Sequence, residues 1–264
     1  MTGRIFAFSG KGGSGKTTLA SLVLLELVRL KHRPVLAVDA DPNATLAMAL
    51  GVRVDGTVAD LRDRMGEAAD KVSEIPKDRL MGQWLAEILV EGAGFDLLTM
   101  GRPEGPKCYC YVNGLLRRYL KELRPNYAAI VVDCEAGMEY LSRLTVDDVD
   151  ALVLVAEATR VGLTSAGRIA KLADSLPVSV RKRLLAVNKF GGPDSREGSM
   201  DITGAPDVDA SVRIPYDDDL YRRSVMGEPV DAAAGPRARS AIEELTRLCL
   251  SPLSNEARPT GPKE

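Results

Sequence analysis

The chain is poor in several kinds of residue. It has one histidine and one tryptophan, and aromatic residues fill only 5% of its 264 positions. A histidine-rich metal store is therefore excluded. His32, between Lys31 and Arg33 at the polar end of a helical pattern, reads as a surface residue. No apolar run approaches the roughly 18 residues of a membrane span. The proline-broken, mixed-charge tail has no basic amphipathic face of the kind that lies on a bilayer. Charge of one sign is lacking too: 35 Lys and Arg against 37 Asp and Glu leave a net charge of −2. Bulk attraction for nucleic acid or anionic lipid is thus missing. Four cysteines at irregular positions are too few for a disulfide framework. The first residues run straight into an apolar segment with no leader pattern. The expectation is a reduced, cytoplasmic protein that binds neither nucleic acid nor membrane.

What is present is ample apolar content, 45% of residues, in a regular alternation. Short apolar runs bounded by turn residues fall at 5–8, 35–39, 96–100, 128–133, 151–155, 184–188 and 212–214. Helical patterns fall at 17–31, 57–65, 79–89, 112–123, 162–176 and 237–250. Strands alternating with helices predict an α/β fold, a mostly parallel central sheet with helices on both faces. Ligands in such folds bind at the carboxyl ends of the strands. No linker or repeat divides the chain, so a single domain over 1–250 is expected. The tail 251–264, with Pro252, Pro259 and Pro262, is expected to be disordered. Trp84 and Cys249 lie on helical faces that read as core, and the acid run 217–219 reads as a solvated turn.

The strongest chemical signal is Gly10, Lys11, Gly12, Gly13, Ser14, Gly15, Lys16, Thr17 and Thr18, between the first apolar run and a long helical pattern. This is a phosphate-binding loop in its required context of strand, glycine loop and helix start. Its backbone N–H groups converge on one point, and the helix N-terminus adds partial positive charge. Lys16 is placed to reach the β- and γ-phosphates and Thr17 to give its hydroxyl to Mg²⁺. Two carboxylates, Asp39 and Asp41, follow the second strand, where they can hold metal-bound water or orient an attacking water. Asp133 ends an apolar strand in the manner of a Walker B acid, with Gly137 shortly after it. Asn188 and Lys189 end another strand, and Pro215, Tyr216 and Asp217 a further one.

Lys11, directly after the first glycine, makes the loop unusual. K-G-G-x-G-K-[ST] resembles the deviant Walker A loop of the MinD/ParA/nitrogenase iron protein class, which are P-loop ATPases of the SIMIBI type. The resemblance implies that Lys11 crosses a nucleotide-sandwich homodimer to the other subunit's phosphates, a positive charge supplied in trans. It also implies that Asp41 positions the hydrolytic water and that Asp39 supports the Mg²⁺ shell. Asn188, Lys189, Pro215, Tyr216 and Asp217 are then on the base side of the nucleotide.

The remaining signal is a proline- and glycine-rich loop at 101–113 that holds Cys108 and Cys110. Two thiolates suit a soft or borderline divalent metal but cannot complete a four-sulfur site. A two-fold dimer would supply the second pair. The loop G-R-P-E-G-P-x-C-Y-C-Y-V-N, with E-A-G-M-E after Asp133 and Cys134, is similar to the CooC-type nickel-insertion ATPases. That resemblance implies Ni²⁺, with Zn²⁺ possible in the same place, held between subunits by Cys108 and Cys110. It implies delivery to apo carbon monoxide dehydrogenase, coupled to hydrolysis of ATP to ADP with Mg²⁺. Two other classes remain open at this stage. One is a MinD/ParA-like positioning ATPase, which calls for an amphipathic tail or a basic patch. The other is an iron–sulfur carrier or reductase, which would draw on Cys134 as well. Cys134 reads instead as a packed switch residue, and the glycine flank of a cluster cysteine is missing.

Overall fold

The computed structural model describes residues 3–41, 43–61, 64, 77–101, 120–134, 148–176, 178–192, 205–230 and 234–252. Within them the strands are β1 (Arg4–Gly10), β2 (Val35–Asp39), β3 (Val90–Glu91), β4 (Phe95–Thr99), β5 (Ala129–Asp133), β6 (Asp148–Val149), β7 (Ala151–Glu157), β8 (Ser179–Val180), β9 (Arg183–Phe190) and β10 (Ala210–Pro215). The helices are α1 (Lys16–Arg29), α2 (Leu46–Leu50), α3 (Lys77–Ile88), α4 (Arg160–Ser175), α5 (Asp218–Met226) and α6 (Pro236–Leu250). Each of the seven expected strands is present. The helix expected at 57–65 appears as helical backbone at 58–61 and 64. The one expected at 112–123 is described only from residue 120.

The main sheet has eight strands in the order β10-β9-β7-β1-β5-β2-β4-β3. Every pairing in it is parallel except that of β3 with β4, at one edge. β1 therefore lies near the middle, between β5 and β7, and its last residues open directly into the glycine loop.

Helices cover both faces, and this explains why the strands read as continuous apolar runs rather than alternating ones. Ile5 and Ala7 of β1 join one core cluster with Leu85 and Ile88 of α3 and Leu163, Ala166 and Ile169 of α4. Phe6 and Phe8 point the other way, into a cluster with α1, α2 and α6. The nearly all-round apolar pattern of α1 has its cause here. Sheet lies on one side of it and α6 on the other, so Leu19, Leu22, Val23, Leu24 and Leu27 are all buried. Its one buried acid, Glu26, is matched by a bidentate ion pair with Arg29 at 2.6 and 2.7 Å. Cys249 sits in the α6 core contact, as expected, and Trp84 packs half-buried against the opposite cluster.

Candidate functional site

At the carboxyl ends of the strands lies a cleft of about 530 Å³. The glycine loop forms its floor. Gly13 and Gly15 have φ of 78° and 92°, the left-handed region that glycine occupies without strain. A Cβ at Gly15 would also lie 2.2 Å from Asn188 Nδ2, so a larger residue there would have to displace that amide from the Ser14 carbonyl. At Gly12 and Gly13, by contrast, a Cβ would meet nothing within 4 Å. The loop's outer face thus opens onto free space of the kind a phosphate would fill.

β9 holds the loop in place. Asn188 Nδ2 donates to the Ser14 carbonyl at 2.8 Å, and Lys189 Nζ donates to the Gly13 carbonyl at 2.8 Å. Lys189 is itself fixed by Glu157 at 2.9 Å. Both residues line the cleft, and each side chain reaches a carbonyl of the loop backbone. The loop's carbonyls at Gly13 and Ser14 thus turn back toward β9, and its Ser14 N–H closes onto the Lys11 carbonyl at 3.2 Å.

The Thr17 end of the cleft is built from two strands, β2 and β5, and one helix, α1. Lys16 opens α1; it is buried, and its Nζ donates to the Lys11 carbonyl at 3.4 Å. Thr17 Oγ1 donates to Asp133 Oδ2 at 2.6 Å. Asp133 Oδ1 is buried with no partner among the described residues. An orphaned carboxylate oxygen beside a threonine hydroxyl is an arrangement of hard oxygen donors, and it fits Mg²⁺, which takes oxygen ligands and keeps several waters. Burial pushes the Asp133 carboxyl up to about 6, against the opposing pull of Thr17 and Lys16.

β2 ends at Asp39, so Asp41 lies beyond the strand and the two acids do not share an extended segment. Asp39 pairs in register with Asp133 across the β2–β5 ladder. It is buried, and each of its oxygens takes a backbone N–H: that of Asp41 at 3.1 Å and that of Leu46 at 2.8 Å. Asp39 therefore shapes the loop that carries Asp41. Asp41 lines the cleft and folds its Oδ1 onto Asn43, accepting from the backbone N–H at 2.9 Å and the side chain at 2.8 Å. Lys11 stands exposed on the loop.

Burial also raises the Asp39 carboxyl, to about 7, with the Leu46 N–H opposing it. An unfolded aspartate ionises near 3.9. Between about pH 4 and 7 the folded chain thus keeps a proton that the unfolded chain has lost. The contribution of Asp39 to stability is full below that window and falls as pH rises through it. Asp39→Asn removes this titration while keeping an acceptor oxygen. Urea unfolding in EDTA should then show a shallower loss of stability from pH 4 to 7, by on the order of a few kcal/mol over the window. An unchanged slope would mean that Asp39 is ionised throughout.

Two further walls of the cleft are what sequence reasoning did not find. Thr45, Met48 and Ala49 of the α2 segment line one wall, and Tyr221, Arg223 and Ser224 of α5 another. At five residues α2 is too short to show a period, and no sequence signal marked it. α5 did carry a signal, because Asp217 followed by two more acids and then Arg222 and Arg223 is a helix start. The acid run is accordingly no turn. Asp217 caps α5, accepting the Leu220 N–H at 3.0 Å, and its other oxygen takes the Gly235 N–H at 2.8 Å. Pro215, Tyr216 and Asp217 all line the cleft. Cys134 is fully buried, with its thiol raised by burial and by Asp133 beside it, which suits packing and not ligation. Cys108, Cys110 and Gly137 lie outside the described residues.

The chain matches the CobQ/CobB/MinD/ParA nucleotide binding domain over residues 5–230. It belongs to that family. Membership accounts for the deviant loop and for a nucleotide-sized cleft at the strand ends. Among relatives within reach, a functionally uncharacterised ATP-binding protein of Methanocaldococcus jannaschii is 37% identical over 86% of this chain and 90% of its own length. The carbon monoxide dehydrogenase accessory protein CooC of Rhodospirillum rubrum is 30% identical over 78% of this chain and 84% of its own. The solved structure of the septum site-determining protein MinD of Pyrococcus horikoshii with Mg-ADP shares the fold, with a TM-score of 0.68 at 21% identity over 93% of this chain and 95% of that one. The CobQ/CobB/MinD/ParA fold thus extends across nearly the whole molecule, and none of its described helices is long and apolar enough to cross a membrane.

Proposed function

We infer that the chain is a Mg²⁺-dependent ATPase which acts as a homodimer and hands Ni²⁺ to apo carbon monoxide dehydrogenase. The observation that carries the ATPase part is the metal end of the cleft, where Thr17 and the unpartnered Asp133 Oδ1 flank the glycine loop. In this reading Lys16 holds the β- and γ-phosphates, and Asp41 orients a water. The water oxygen bonds to the γ-phosphorus as the bridging bond to the β-phosphate breaks, and ADP departs with the electron pair. Bound Mg²⁺ supplies charge neutralisation on the phosphate oxygens. Lys11, exposed on the loop, adds charge across the dimer. Asn188 and Lys189 keep the loop carbonyls turned away, and Pro215, Tyr216 and Asp217 flank the base.

The nickel part rests on the C-x-C loop in the sequence and on the similarity to CooC. Here Ni²⁺ is cargo. Cys108 and Cys110 from each of two subunits would hold it on the two-fold axis, so its grip would follow the nucleotide state, and the coupling would be reciprocal. Zn²⁺ competes for the same thiolates.

Anaerobic equilibrium dialysis with Ni²⁺ tests this on the wild type and on Cys108→Ala/Cys110→Ala, without nucleotide and with ADP. The expected result is one Ni²⁺ per two chains, altered by ADP and lost in the double variant. Retained ADP binding in that variant reports that it is folded. Equal, weak binding by both proteins would remove the nickel assignment and leave an ATPase with a different client.

A further inference from the structure

Thr45 stands at the N-cap position of α2, yet its side chain makes no capping bond. The first turn of α2 is held instead by Asp39, which takes the Leu46 N–H. The Thr45 hydroxyl faces α1, with its Oγ1 3.4 Å from Thr17 Oγ1. The Thr17 proton is already directed to Asp133 Oδ2. In the contact between the two threonines, Thr45 is therefore the donor and Thr17 the acceptor.

The position of Thr45 is set by the surrounding fold. At one end of the loop the Asp39 carboxylate grips the backbone at both Asp41 and Leu46. At the far end of α2, the Ala49 carbonyl accepts the Val230 N–H at 3.0 Å. Gly51 lies so close to Pro229 that a Cβ there would come within 2.8 Å of the proline ring. A segment held at both ends, with its threonine hydroxyl 3.4 Å from Thr17 Oγ1, is preorganised, and little entropy is lost when that hydroxyl engages a ligand.

We propose that Thr45 is a positioning residue for the divalent cation, its hydroxyl hydrogen-bonding the water shell of the metal held at Thr17 and Asp133. The proposal rests on reading the cleft as a magnesium–nucleotide site. A hydroxyl can both donate and accept, which suits bound waters, and Mg²⁺ retains several of them. Outer partners of this kind change metal affinity by about 10- to 100-fold when removed.

Titration calorimetry of the full chain with ADP, in EDTA and in Mg²⁺, separates the possibilities. Mn²⁺ binding to the ADP complex, followed by electron paramagnetic resonance, reads the metal directly. Thr45→Val keeps the shape and removes the hydroxyl. The expected result is ADP affinity in EDTA equal to wild type, a Mg²⁺-dependent gain reduced about tenfold, and Mn²⁺ affinity reduced alike. Thr45→Ser should restore the gain. If valine prevents folding, Thr45→Ala is read in the same way. A full Mg²⁺ gain in the hydroxyl-free variant would overturn the proposal, as would equal losses in EDTA and Mg²⁺, which mark a purely structural role. Wild-type protein that binds ADP no better with Mg²⁺ than without would instead overturn the magnesium reading beneath it.

Discussion

Lys16→Ala is expected to weaken ADP binding by about thirty- to a hundredfold, while the nucleotide-free protein stays folded. Lys16 is 7% exposed, and its one side-chain hydrogen bond among the described residues is a long one, 3.4 Å to the Lys11 carbonyl. A buried ammonium with so little direct compensation is poised for an anionic ligand. Hydrogen bonds to charged groups contribute about 1.5–3 kcal/mol, and about 1.4 kcal/mol is tenfold in affinity. The terminal β-phosphate of ADP is doubly charged, which places the loss at the upper part of that range. The folded state loses little, because the deleted group is a weakly paired charge and the alkyl stem belongs to the first turn of α1. Calorimetric titration with ADP and a thermal melt without nucleotide together check the claim. An unchanged ADP affinity would take Lys16 out of the phosphate site. A collapse in melting temperature would make it a structural lysine.

The second large effect belongs to the core. Phe8→Ala should cost about 3–5 kcal/mol, the range for removing a buried aromatic side chain. Phe8 has no exposed surface and lies on β1, the strand flanked by β5 and β7. Its ring is in the cluster that joins the sheet to α1, so the cavity would open beneath the helix that carries Lys16 and Thr17. Against the roughly 5–15 kcal/mol that holds a typical domain together, such a loss leaves a marginal protein. Urea unfolding monitored by far-ultraviolet circular dichroism measures it. A change under about 1 kcal/mol would show that α1 closes down on the vacated space.

Much of this molecule is legible in one dimension. The strands were readable because parallel strands covered on both faces are unbroken apolar runs, and such runs are local. Phe6 and Phe8 show the point: they face the opposite side of the sheet from Ile5 and Ala7, yet all four are apolar. The glycine loop was readable because its whole geometry is encoded in nine successive residues. α2 was not, since five residues complete little more than one helical turn. The α5 start was present as a capping aspartate and two acids, but a run of three acids reads equally as a solvated turn. Asn188 and Lys189 could be picked out as strand-end residues. Their bonds to the Ser14 and Gly13 carbonyls could not, because the partners lie 174 and 176 residues away.

By itself, then, the sequence determined the α/β class, the seven strands of the frame, the phosphate loop and the thiol pair. All of these rest on short-range patterns of apolarity, glycine and spacing. Only the tertiary structure decided the strand order. That order sets Asp133 against Thr17 and Asp39 beside Asp133, turns β9 onto the loop, and brings α2 and α5 together as the walls of the cleft. The physical reason is that long crossovers leave the choice of neighbour to the packing of whole helices on whole faces, a quantity that no local window of residues contains.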